Sequence, residues 1–163
     1  SPDGDAFDLV PSGNHPGGSG QEWDRIALED SVVADLGDGV VVRHATATAF
    51  LGLKWAAHDD RGAGDPYASH DLEDILSLVA SRPSIVEEIQ GSRPRLQEFI
   101  TAQTTLLLAD ERLADILAGH LNNAQEPRRA TQMVLRRLEE IRAIAVDERR
   151  ETSLKRADHP SAD

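Results

Sequence analysis

The sequence predicts an α+β protein that is mostly α, with a small β-element near the N-terminus followed by a helical bundle. Two observations predict it. Strand-type patterns are confined to Ala6–Val10 and to residues 31–45, and from Phe50 onward the apolar residues recur at the three- and four-residue spacing of helices. A charged, apolar-poor stretch from Asp147 onward then predicts a disordered tail, residues 147–163.

The chain opens with Pro2-Asp3-Gly4-Asp5, a turn signal that leads into the strand-like run Ala6–Val10. A turn feeding a strand ordinarily joins it to a preceding one, so this reading expects a partner strand ahead of Ser1. Residues 13–20 are Gly-rich. They lack the Lys-Ser/Thr ending of a P-loop and the G-x-G-x-x-G spacing, and read as a connection.

Trp23, Ile26, Ala27 and Asp30 have helical spacing. Residues 31–45 then read as a β-hairpin turned by Gly37-Asp38-Gly39, residues suited to positive φ. A helix of about three turns carries Phe50, Leu53, Lys54, Ala57 and His58. Ser69 is placed to cap the next helix, with Leu72, Ile75, Leu76 and Val79 on its apolar face. Ser84 to Glu87 has the spacing of a capping box, and Gly91 is a stop. Helices follow over Pro94–Ala109 and 109–121, and Pro127 starts the last one, which carries an apolar stripe of Val134, Leu138, Ile141 and Ala145.

The 163 residues suffice for one sizeable core, built from Leu, Val, Ile and Ala because aromatics are 4% of the chain. The absence of cysteine excludes disulfides and thiolate metal sites and fits a reducing cytoplasm. No run reaches the roughly 18 apolar residues of a membrane span, so no membrane partner is expected. A net charge of −12 repels nucleic acid unless a basic patch or metal ions intervene. The candidate basic pairs, Arg128–Arg129 and Arg136–Arg137, read as a solvated helix face. His15, His44, His58, His120 and His159 show no zinc spacing, and G-x-S-x-G and a nucleophilic Cys are absent.

The most chemically dense stretch is Arg61–Ile75, with four carboxylates, an Arg and a His between two apolar helices. Lys54, among apolar neighbours, either snorkels outward or contacts phosphate. Arg61 either clamps phosphate or pairs with Asp65, Asp71 or Asp74. Asp71 and Asp74, three apart, share a helix face where one Arg or Lys could meet both, and first-turn acids also suit the helix dipole. His70 is either a general acid/base or a hydrogen-bonding loop residue. Asp8 is either an ordinary strand Asp or a hard-oxygen metal ligand.

Three stretches, "FDLVPSGNHPGG", "ATAFLGLKWAAHDDRGAGDPYASHDLEDILSLVASRPSIVEEI" and "EPRRATQMVLRRLEEIRAIA", together resemble the nucleotidyltransferase-like AbiEii/AbiGii toxin family over roughly Ala6 to Ala145. The most specific part is Phe-Leu-x-x-Lys, then Arg-Gly-x-x-Asp, then Ser-His-Asp-Leu-Glu-Asp-Ile. The resemblance implies a polymerase-β-like core, remnant here as residues 1–60, followed by a helical domain over 61–146. It implies a bacterial toxin–antitoxin or abortive-infection role and transfer of a nucleotide from an NTP with Mg²⁺. Asp8 would be a catalytic, metal-holding acid and Lys54 a catalytic, nucleotide-binding residue. Arg61 would bind nucleotide, and Asp65, His70, Asp71 and Asp74 would brace the site. The implied partners are the NTP, an RNA or protein acceptor and an antitoxin. The family's Gly-Ser or Gly-Gly turn and Asp-x-Asp pair have no match here, and Asp3-Gly4-Asp5 reads as a turn. The chain is therefore expected to be the C-terminal part of such an enzyme, inactive alone. The alternative expectation is a non-catalytic helical interaction module whose stripe Val134, Leu138, Ile141 docks a partner helix.

Overall fold

A computed structural model describes the backbone of residues 20–62 and 65–157, and the side chains of residues 22–60 and 65–145. Asp8, the run Ala6–Val10 and the side chain of Arg61 lie outside the described residues. The element order is α1 (Gly20–Glu29), β1 (Val32–Asp35), β2 (Val41–His44), α2 (Ala47–Ala57), a π-helical turn (His58–Gly62), α3 (His70–Ser81), α4 (Ile85–Gln90), α5 (Pro94–Leu108), α6 (Leu113–His120) and α7 (Pro127–Ala157). The described chain is mostly helical, with one two-stranded antiparallel sheet.

The hairpin follows its sequence signal. Gly37, Asp38 and Gly39 all have positive φ (88°, 51° and 80°), and Asp35 Oδ1 accepts the Gly37 N–H at 2.9 Å. The register pairs Val32 with His44 and Val33 with Arg43. The hairpin adds nothing to the core: Val33 is 62% and Val41 60% exposed.

The core is helical. Trp23 and Ile26 of α1, Leu51 and Trp55 of α2, and Leu72, Ile75 and Leu76 of α3 form one buried cluster with residues of α4 to α7. That cluster runs across residue 60, where the sequence reading placed a domain boundary. Complete burial of each Leu or Ile contributes about 1.5–3 kcal/mol, which outweighs the weak propensity of short pieces such as α4. α1 is fastened to α5 by the stacked rings of Trp23 and Phe99, 4.2 Å apart, and by a two-pronged Arg95–Glu22 pair at 3.1 and 2.9 Å. Close packing of α2 depends on Gly52, where a Cβ would come 2.6 Å from Leu96 Cδ1.

Three expectations need correction. The stripe Val134, Leu138, Ile141 docks nothing external, because all three side chains are buried in the chain's own core. Arg137 is not on a solvated face: it is buried, and its Nη1 donates to the carbonyls of Val79 and, at 2.8 Å, Ala80, satisfying the C-terminal end of α3. Ser84 makes no cap bond to the backbone; its hydroxyl donates to Glu88 at 2.6 Å, a carboxylate also held by Arg82. The expected tail from Asp147 begins inside α7, whose backbone helix runs to Ala157, and residues 158–163 lie outside the described residues.

Candidate functional site

Lys54 sits in the last turn of α2 and meets the first turns of α3. Its Nζ is 2.6 Å from Asp74 Oδ2 and donates to Asp71 Oδ1 at 3.1 Å. Asp71 and Asp74 reach one ammonium because three residues of helix bring them to the same face. The spacing leaves open whether an Arg or a Lys meets both acids, and the packing of α2 on α3 brings Lys54 to both. The Phe50 ring, one turn back on α2, has its centroid 5.6 Å from Nζ.

The three side chains differ in access. Asp71 is 8% exposed, Lys54 26% and Asp74 47%. Partial burial opposes the Lys54 charge, but the hydrogen bonds and charges of Asp74 and Asp71 together outweigh it and hold its pKa above the ordinary value. The ammonium is therefore charged throughout the physiological range. It has three N–H donors, and the two carboxylates engage two of them, leaving one donor direction for a ligand oxygen.

Placement of α3 depends on Ser69. Its Oγ accepts the Leu72 N–H at 3.2 Å, as an N-cap does, and lies 2.8 Å from His58 Nδ1. His58 is buried at the start of the π-helical turn, its ring edge-on to Trp55 with centroids 6.0 Å apart. Burial pushes its pKa down; the charges of Asp71 and Asp59 offset this in part, and His120 adds to it. Sequence reasoning assigned His58 no role. The signal was present in the spacing of Leu51, Trp55 and His58, which puts the imidazole on the buried face of the helix.

The remaining predicted residues are not all brought together. Asp65 is spent on the loop, where Oδ1 accepts the Tyr67 N–H at 3.2 Å. His70 is 94% exposed and 3.4 Å from Glu73, so its side chain faces solvent rather than Lys54. Its neighbourhood is an open polar cleft of about 200 Å³ lined by Tyr67, His70, Glu73, His120, Asn122 and Asn123 among others. His120 closes one side, its Nε2 donating to the Pro66 carbonyl at 2.8 Å.

The donor chemistry of Asp71 and Asp74 suits a hard cation, but Lys54 occupies both. Among the described residues no group of three or more His, Cys, Asp or Glu side chains is arranged to hold a metal. Asp8, the expected metal-site acid, lies outside the described residues. Comparison of the chain with protein-family models, with curated proteins and with solved structures returns no match.

Proposed function

We propose that Lys54, held by Asp71 and Asp74, is the phosphate-contacting group of a nucleotide site, and that the chemistry served is transfer of a nucleotide from an NTP. The observation that supports this reading most is the half-buried ammonium with two of its donors fixed by neighbouring carboxylates. Such a charge is pre-positioned: a phosphate oxygen meets it without the rotamer entropy that a free surface Lys would lose. Asp71, nearly buried, fixes the direction of Nζ, and Asp74, half exposed, holds it at the surface.

The local charge balance also constrains the ligand. Among the described residues the site sets one ammonium beside two carboxylates, which disfavours a bare triphosphate, so the nucleotide would arrive as its Mg²⁺ complex. When bound, Mg²⁺ supplies charge neutralisation on the transferring phosphoryl group, with Asp8 the acid of this sequence assigned to it. The transfer chemistry needs more carboxylates than Asp8 alone provides, and the resemblance expects an Asp-x-Asp pair to supply them. An RNA or protein acceptor and an antitoxin partner belong to the same proposal.

The test is calorimetric titration of the chain with the Mg²⁺ complexes of ATP, GTP, CTP and UTP, repeated on Lys54→Met, which keeps the aliphatic stem. Loss of a hydrogen bond to a charged group costs about 1.5–3 kcal/mol, so the variant should bind roughly 10- to 100-fold more weakly. Equal binding by both proteins, or no binding of any of the four nucleotides by the wild type, would sink the proposal.

The alternative, a non-catalytic interaction module, no longer has the α7 stripe as its surface. It is favoured by one observation: Leu36, Val40 and Val41 of the hairpin are exposed. It predicts that the chain binds none of the four nucleotides.

A further inference from the structure

We propose that His58 and Ser69 are positioning residues for the Lys54–Asp71 pair, acting together as a proton-sensitive latch on the first turn of α3. For its effect on ligand binding this rests on the nucleotide reading of Lys54; the latch itself does not.

Asp71 is two residues past Ser69 and one before Leu72, so the cap bond from Leu72 N–H to Ser69 Oγ brackets it. Ser69 Oγ has one hydroxyl proton and two acceptor lone pairs. Leu72 N–H takes a lone pair, and the described partner for the hydroxyl proton is His58 Nδ1, 2.8 Å away. The latch takes Nδ1 as the acceptor of that proton, with the neutral imidazole carrying its own proton on Nε2.

Proton uptake at Nδ1 reverses this bond. The new N–H must donate to Ser69 Oγ, and the hydroxyl proton must turn away from the ring, inside a site where Ser69 and His58 are both buried. Leu72 N–H keeps its own lone pair, but the hydroxyl is left as a buried donor without a partner, and that cost loosens the capped turn carrying Asp71. Among the described residues, the charged and titratable groups that face His58 are Asp71 from α3, Asp59 from its own turn and His120 from α6, with Lys54 one turn back on α2 and paired to Asp71. Asp71 is thus both the residue the latch places and the charge that a protonated His58 would attract away from Lys54.

The experiment measures the hydrogen-exchange protection factor of the Leu72 amide, together with the affinity for Mg²⁺-ATP, over about pH 8 to 5. It compares wild type, His58→Asn and Ser69→Ala. Asn places an amide nitrogen or oxygen where Nδ1 stood but does not titrate. In the wild type, Leu72 protection should fall about tenfold across the range, as one lost hydrogen bond predicts, with a midpoint below the ordinary imidazole value of about 6.5. Affinity should fall with it. In His58→Asn both should stay flat, and in Ser69→Ala both should be low at every pH. Should a variant fail to fold, the His58 ring and the Leu72 amide are titrated by NMR in the wild-type chain, and the two midpoints should coincide. Wild-type pH dependence surviving in His58→Asn, or separate midpoints, overturns the latch. Absence of binding of all four Mg²⁺-nucleotides in the wild type refutes the nucleotide reading alone and leaves Leu72 protection to decide the latch.

Discussion

Lys54 Nζ lies 2.6 Å from Asp74 Oδ2, a contact that ties the end of α2 to the start of α3 across a π-helical turn and loop. It is an exposed–half-buried pair, so its own stability contribution is small, of order 1 kcal/mol or less. Its greater consequence is positional, because the same ammonium is bonded to the nearly buried Asp71.

Replacing Asp71 should therefore hurt more than replacing Asp74. Asp71→Ala leaves Lys54 without its inner partner in a site of low exposure, and an expected cost of about 2–3 kcal/mol is read from chemical denaturation. Asp74→Ala, at the half-exposed position, should cost about 0.5 kcal/mol.

Gly52→Ala tests the contact between α2 and α5. Helix propensity favours Ala by about 1 kcal/mol, but the new methyl would sit 2.6 Å from Leu96 Cδ1, a fully buried side chain. Overpacking of this kind costs about 1–3 kcal/mol, so the net effect should be a lowered melting temperature. A raised one would show that Leu96 has room to turn.

Arg137→Met keeps the apolar volume on α7 but removes both hydrogen bonds to the end of α3. A buried and a part-buried carbonyl then lose their partner, and a loss of about 2–4 kcal/mol is expected in the same denaturation assay. A near-neutral Arg137→Met would mean that water replaces the guanidinium.

The depressed pKa of His58 also makes global stability depend on pH, with a definite sign. Burial disfavours the charged ring in the folded state, so the unfolded chain binds the proton first as pH falls. Stability from this group is fully present above about pH 6.5 and declines as pH drops from there toward the lower folded-state value. His58→Asn should flatten that part of the stability curve.

Local signals in the sequence carried most of the fold. Gly37-Asp38-Gly39 marked the hairpin turn, Ser69 the cap of α3 and Pro127 the start of α7, because each acts through backbone geometry within a few residues. Ser84 misled for the opposite reason: its hydroxyl had a side-chain competitor, Glu88, drawn in by Arg82. Arg137 was read as solvated from its charge, although it stands in register with Val134, Leu138 and Ile141 and so points inward. The site was half legible. Lys54, Asp71 and Asp74 were all singled out, but the pairing of Lys54 with both acids, and the support of Asp71 by His58 and Ser69, depend on how α2 packs on α3.

The central claim concerns where a nucleotide binds, and amide NMR mapping of the chain during titration with Mg²⁺-ATP tests it most directly. The account predicts shift changes centred on Lys54, Asp71 and Asp74, with little change in the hairpin residues Val33 and Val41. Saturable shifts confined to the hairpin or to α7, with the Lys54 turn unmoved, would contradict it.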